Sequence, residues 1–346
     1  MKYHYLLYLL AGLFLFACRK DTPEETDKEK VPSVRPLGGM FITNEGNFGW
    51  GNASISYYDF EEEKVTEDIY KAANDRPLGD VCQSMTIKDG KGYIVVNNSN
   101  KVEVVDIVSF KSLGAISGLS SPRYLLPINS KKAYISDLYS NAVTVVDLSS
   151  KSKTKEISCP GWTEQMALVN SKAFVTNIRK EYVYVINTEE DKITDSIKVG
   201  FAPNSIVEDK NGKLWVLSSG SRENNIPASL SKVNPQTLKV ENKITFQQTT
   251  QGANKLTING SLDTLYFLSR GVYQMPIQQE AIPASPIIKQ GSAILYGLGV
   301  HPKNGNIYVS DAIDYTQKGM VYCHKNDGTL LESFNAGIIP GGFYFY

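Results

Sequence analysis

A chain of 346 residues with 42% hydrophobic and 21% charged residues has ample material for a globular core. Its 36 Lys and Arg balance 36 Asp and Glu, so no long-range field favours nucleic acid or an acidic substrate. Length alone would suggest two domains, but a repeat fold of this size is a single unit.

Residues 1–17 open with Lys2 and His4, run almost without polar residues from Leu6 to Phe16, and end Leu15-Phe16-Ala17. The apolar run is too short for a good membrane span and has the flanks of a signal peptide. Ala17 before Cys18 resembles a bacterial lipobox, which implies cleavage before Cys18 and lipidation of its thiol. Each buried acyl methylene contributes about 0.8 kcal/mol of membrane affinity. Residues 18–38 hold the charged run Arg19 to Lys30 and then Pro32 and Pro36, read as a flexible tether. An acidic cluster just after a lipidated cysteine resembles the surface-export signal of Bacteroidetes lipoproteins. The expected location is the outer membrane, lipid-anchored and facing outward.

From residue 39 to 346 one phrase recurs: an aromatic residue, a short hydrophobic run and a closing polar residue. The copies open at Phe41, Tyr93, Tyr134, Phe174, Trp215, Tyr266 and Tyr308 and close at Asn44, Asn97, Asp137, Asn177, Ser218, Ser269 and Asp311. Their spacing is roughly 40 residues, about 50 in two places, the period of a propeller blade. One copy shows the unit: strands over 203–208, 213–217, 228–233 and 238–246, separated by Asn, Asp, Gly and Pro turns. Asp59, Asp106, Asp147, Asn187 and Asn234 end third strands, where their side chains start the next turn. The sixth copy is irregular, because Pro276, Pro283 and Pro286 leave its fourth strand doubtful. The first copy lacks a first strand, and the C-terminus, through Pro340-Gly341-Gly342-Phe343-Tyr344-Phe345, has one to spare. The expectation is an all-β, seven-bladed β-propeller whose C-terminal strand closes the first blade, leaving no open ring edge.

This repeat is similar to the YncE-like seven-bladed propellers. The segment Gly39-Met40-Phe41-Ile42-Thr43-Asn44-Glu45-Gly46-Asn47-Phe48, followed by Asn52 to Asp59, resembles the opening of the BtuG-type lipoproteins of gut Bacteroidetes. That resemblance implies a surface lipoprotein that binds cobalamin or another corrinoid and hands it to an outer-membrane TonB-dependent transporter. Cobalamin would be a transported ligand, with no intrinsic cofactor and no metal site.

In such a blade the second-to-third loops and the blade-to-blade connections share one face, the mouth. Here they are longer than the opposite turns and richer in aromatic, amide and guanidinium groups. The expected ligand contacts are Phe48 and Trp50 in blade one, Asn98 in blade two, Tyr139 in blade three and Arg179 in blade four. Arg222 and Asn224 join them from blade five, Arg270 from blade six, and Asp311 and Tyr315 from blade seven. Connections add Arg123, Trp162, Gln165 and Phe201. Flat aromatic groups with amide donors suit a large planar ligand fringed by amides. His301 and His324 fall on the opposite face, so a His-based catalytic dyad at the mouth is unavailable. Two other readings stay open: a metal-dependent lactonase-type hydrolase using Asp137, Asp311, Asp314 and Glu45, or a protein- or glycan-binding scaffold. Cys82, Cys159 and Cys323 lie in different repeats and read as small buried hydrophobes.

Overall fold

The structure, a computed structural model, describes residues 38–247 and 252–346. The signal segment, Cys18 and nearly all of the tether lie outside the described residues. The described chain forms seven antiparallel four-stranded sheets. The innermost strands are Pro340–Phe345 for blade one, then Cys82–Lys88, Pro122–Pro127, Thr163–Val169, Pro203–Glu208, Asn254–Ile258 and Leu295–Val300. Each packs against the next, and Leu295–Val300 returns to Pro340–Phe345, so the ring is closed.

Closure takes the expected form. Blade one runs in the order Pro340–Phe345, Gly39–Asn44, Ser54–Asp59, Lys64–Thr66, so its innermost strand comes from the far end of the chain. The fifth blade has strands Pro203–Glu208, Leu214–Ser218, Ser229–Asn234 and Lys239–Thr245, each within a residue or so of the pattern read from the turns. The proline-rich sixth blade ends in a two-residue strand, Ile288–Lys289. One element falls outside the repeat: a helix, Ile69–Asn74, after the last strand of blade one. Asp68 caps it by accepting from the Lys71 amide, and Ile69, Tyr70 and Ala73 are buried beneath it.

All seven phrase-opening aromatics are buried between blades, none more than 3% exposed. The third-strand Asp and Asn residues also act locally. Asp59 accepts from the amides of Glu61 and Glu62, Asp106 from Ser109, Asp147 from Ser150, and Asn234 from Gln236 and Thr237. The three cysteines are buried and unpaired.

Glu103, on the third strand of blade two, is 1% exposed and yet charged. Arg76 donates to it at 2.7 Å, Lys101 at 2.8 Å and Ser112 at 2.5 Å. Burial alone would raise its pKa, but these donors overcome that and hold it below the usual carboxylate value. A depressed folded pKa contributes stability above the unfolded value, and that stability is lost as pH falls through the folded one. Glu103→Gln is therefore expected to cost about 1–3 kcal/mol at neutral pH. The difference from the parent should vanish in acid, as read from thermal melts across the carboxylate range. A penalty that persists unchanged in acid would contradict this account.

Candidate functional site: a bulged ring at the channel mouth

Every blade breaks register at the same place. At the mouth end of each innermost strand one extra residue faces the second strand. The slips fall between Cys82 and Ser84, Pro122 and Leu125, Thr163 and Met166, Pro203 and Ser205, Asn254 and Thr257, and Leu295 and Leu298. In blade one Asn44 pairs Pro340 while Thr43 pairs Gly342. Bulges re-aim side chains and are common beside functional sites. Here the first residue displaced in each blade is Gln83, Arg123, Glu164, Asn204, Lys255, Tyr296 or Gly341, a sevenfold ring of unlike groups.

Six of these side chains, and Glu45 in place of the missing seventh, line a cavity of about 460 Å³. Glycine at 341 leaves the room: a Cβ there would lie 3.0 Å from Glu45 Oε1. Arg123 Nε donates to Glu164 Oε1 at 2.9 Å, and its Nη1 donates to Gln83 Oε1. Tyr296 Oη donates to Glu45 Oε2 at 2.7 Å. Lys255 Nζ donates to the Gly341 carbonyl at 3.0 Å and sits 5.4 Å from the centre of the Tyr296 ring. Asn204 Nδ2 donates to Ser219 Oγ at 2.6 Å and to the Ala253 carbonyl at 2.8 Å.

Burial sets the electrostatics. It raises the Glu164 carboxyl above its ordinary pKa despite the pull of Arg123. It lowers the Lys255 ammonium, against the attraction of Glu45. Burial, with Glu164 nearby, pushes the Tyr124 phenol up to about 12. The four charges sum to zero. The cavity therefore presents many hydrogen-bonding groups with little net field, which suits a neutral polar guest better than an ion.

Of the residues anticipated from sequence, Arg123 and Gln165 line this cavity. Gln165 Oε1 accepts from the Ile206 amide at 3.2 Å. Two further groups form above it on the mouth loops. In one, the Arg179 guanidinium lies 3.7 Å over the Trp162 ring, which meets Tyr139 edge-on with centroids 5.5 Å apart. In the other, Phe48 and Trp50 stand 76% and 77% exposed. Asp80 Oδ2 anchors their loop, accepting from the Gly49 amide at 2.8 Å and from Asn98 Nδ2 at 2.6 Å. Asn47 ties it to blade seven by donating to the Tyr315 carbonyl, and Tyr315 packs edge-on to Tyr296 with centroids 6.1 Å apart. The two groups sit about three blades apart, nearly across the ring.

The remaining candidates are not gathered there. Arg222, Asn224 and Arg270 are exposed on their own loops, Asn224 bonded to Ser221, and Phe201 is half-buried with its carbonyl bound to the Gly220 amide. Asp311 is buried and accepts from the amides of Ile294 and Ile313. Asp137 accepts from the amides of Ser121, Tyr139 and Ser140, and Asp314 from those of Thr316 and Gln317. These carboxylates are occupied as turn formers. Among the described residues no three His, Cys, Asp or Glu side chains group so as to hold a metal ion. The expected contact set lacks Gln83, Glu164, Asn204, Lys255 and Tyr296, and Glu45 entered only as a carboxylate of the hydrolase reading.

Solved structures share the fold at low identity. A quinonprotein alcohol dehydrogenase-like protein from Bacteroides thetaiotaomicron superposes with TM-score 0.70 at 15% identity, covering 88% of this chain and 77% of that one. A Lactobacillus plantarum protein gives 0.67 at 13%, covering 90% and 100%. The periplasmic gluconolactonase of Pseudomonas aeruginosa gives 0.64 at 12%, covering 89% and 99%. At these identities the likeness shows the propeller and nothing of its chemistry. No curated protein matches the sequence. Residues 38–345, almost the whole described chain, match the domain of unknown function DUF5074, and the chain belongs to that family.

Proposed function

We propose that this protein is a surface lipoprotein, anchored through Cys18, that captures cobalamin or a related corrinoid at the mouth of the propeller and passes it to an outer-membrane TonB-dependent transporter. One observation carries the reading. Among the described residues six aromatic side chains are exposed, and five of them, Phe48, Trp50, Tyr139, Tyr182 and Tyr315, stand on the mouth face. Exposed aromatics cost solubility unless something covers them, and their concentration on one face marks a contact surface. Two aromatic groups facing each other across a polar, amide-lined ring match a broad flat ligand with an apolar face and an amide fringe. The resemblance of the segment 39–59 to BtuG-type lipoproteins supports the same ligand. Of the four carboxylates of a hydrolase reading, Asp137, Asp311 and Asp314 are committed to backbone amides, which leaves Glu45 alone in the cavity.

Calorimetry with cyanocobalamin on residues 31–346 tests the proposal; no heat at micromolar protein would defeat it. Trp50→Ala and Trp162→Ala are each expected to weaken binding about 10- to 100-fold, the range of aromatic anchors at a contact centre. Trp50→Ala should leave the melting temperature alone, since the side chain is 77% exposed.

A further inference from the structure

The ring beneath the mouth has bonding capacity that the protein does not use. A lysine ammonium has three N–H groups, and among the described residues Lys255 places one, on the Gly341 carbonyl. Arg123 uses Nε and Nη1 and keeps Nη2. Glu45 bonds Tyr296 through Oε2 and keeps Oε1, and Glu164 bonds Arg123 through Oε1 and keeps Oε2. Unused donors and acceptors thus alternate round a cavity of about 460 Å³. That volume lies in the roughly 300–1,000 Å³ range of small-molecule pockets. The phenol rings of Tyr124 and Tyr296 line the same space.

We infer that this cavity is a nucleoside subsite, holding a neutral group that carries both ring nitrogens and vicinal hydroxyls. Three features select that class. Two cations and two anions cancel, which disfavours a bare anion or cation. Carboxylates such as Glu45 and Glu164 are the usual acceptors for ribose hydroxyls. Tyrosine faces stack on bases, and Lys255 and Arg123 supply donors to base nitrogens. A planar ligand lying over the mouth directs its axial substituent down the channel into this ring. The inference rests on the corrinoid reading for how the nucleoside arrives: as the deoxyadenosyl group of adenosylcobalamin. It stands without that reading if free nucleoside binds.

The test titrates the purified protein with adenosylcobalamin, cyanocobalamin and free adenosine. Adenosylcobalamin is expected to bind about tenfold or more tightly than the cyano form, as a few added hydrogen bonds to a desolvated group would give. Lys255→Met and Glu45→Gln should each bring that ratio close to one, with a cooperative thermal melt showing that the variant is folded. Equal affinity for the two cobalamins in the parent overturns the subsite and leaves the corrinoid reading intact. So does a preference for the adenosyl form that survives both variants. Binding of adenosine with neither cobalamin bound would keep the subsite and remove the corrinoid reading. Silence from all three ligands removes both.

Discussion

Deleting residues 340–346 is expected to abolish cooperative folding. The segment supplies the innermost strand of blade one, pairing Phe345 with Met40, Tyr344 with Phe41, Phe343 with Ile42 and Gly342 with Thr43. Phe343 packs in the cluster of Met40, Ile42, Tyr58 and Tyr308, and Tyr344 against the cluster built on Phe41 and Tyr57. Of the four aromatics removed, the three packed against the core, Phe343, Tyr344 and Phe345, at about 2–3 kcal/mol each, forfeit about 6–9 kcal/mol before any ladder bond is counted. A domain's whole stability is about 5–15 kcal/mol. The loss also uncovers the pairing edge of Gly39–Asn44 and removes what Cys82–Lys88 and Leu295–Val300 pack against. A control separates the strand's presence from its position. The Tyr346 amide donates to the Gly39 carbonyl at 2.9 Å, so the two chain segments meet as the limbs of a hairpin would. Moving residues 340–346 ahead of Gly39 through a short turn should restore folding while leaving the blade-seven strand Leu330–Ile338 in place. Circular dichroism melts decide it: a cooperative transition in the deletion, or none in the rearranged chain, contradicts the closure argument.

Much of this was legible in the sequence for a physical reason. Interblade packing demands the same large ring at the same place in each sheet, so Phe41, Tyr93, Tyr134 and their counterparts recur and set the frame. Turn chemistry adds a second marker, the Asp or Asn that ends five of the seven third strands. With both aligned, the missing first strand and the surplus last one match. What falls outside the frame was lost. The helix Ile69–Asn74 is under two turns long and has no counterpart in other blades; its signal was the Asp68 cap and the buried pair Ile69 and Tyr70.

The site was legible only in part, and the failure is instructive. Exposed aromatics on long loops draw attention, and Trp50, Tyr139, Trp162, Arg179 and Tyr315 do cluster on the mouth. Glu164 and Lys255, by contrast, sit inside strands, where a charged residue normally means a solvated edge. Their place in the cavity follows from a bulge, which a period-two reading of a strand does not show. The frame did hold a signal: the residue after Cys82, Pro122, Thr163, Pro203, Asn254, Leu295 and Pro340 is different in every copy. A position kept in register but varied in chemistry is not set by interblade packing, whereas the constant positions are.

That ring also carries the second large effect. Arg123→Met is expected to destabilise the fold by about 2–4 kcal/mol, because it strands the Glu164 carboxylate, 6% exposed, without its partner. Burying a charge without a partner costs more than the pair contributes, so the second change should repair the first. Arg123→Met with Glu164→Leu is expected to return to within about 1 kcal/mol of the parent, as buried pairs replaced by apolar groups often do. The sign with pH is fixed. Glu164 already has a raised folded pKa, and losing Arg123 removes what lowers it, so it climbs further. A carboxyl whose folded pKa exceeds the unfolded value favours the fold below the unfolded value and loses that advantage as pH rises through the folded one. The Arg123→Met penalty should therefore be small near the unfolded carboxylate value of 4.5 and grow towards neutral pH. Urea titrations at several pH values read this directly. A penalty flat with pH, or a double variant no better than the single one, would mean that Arg123 acts through packing alone.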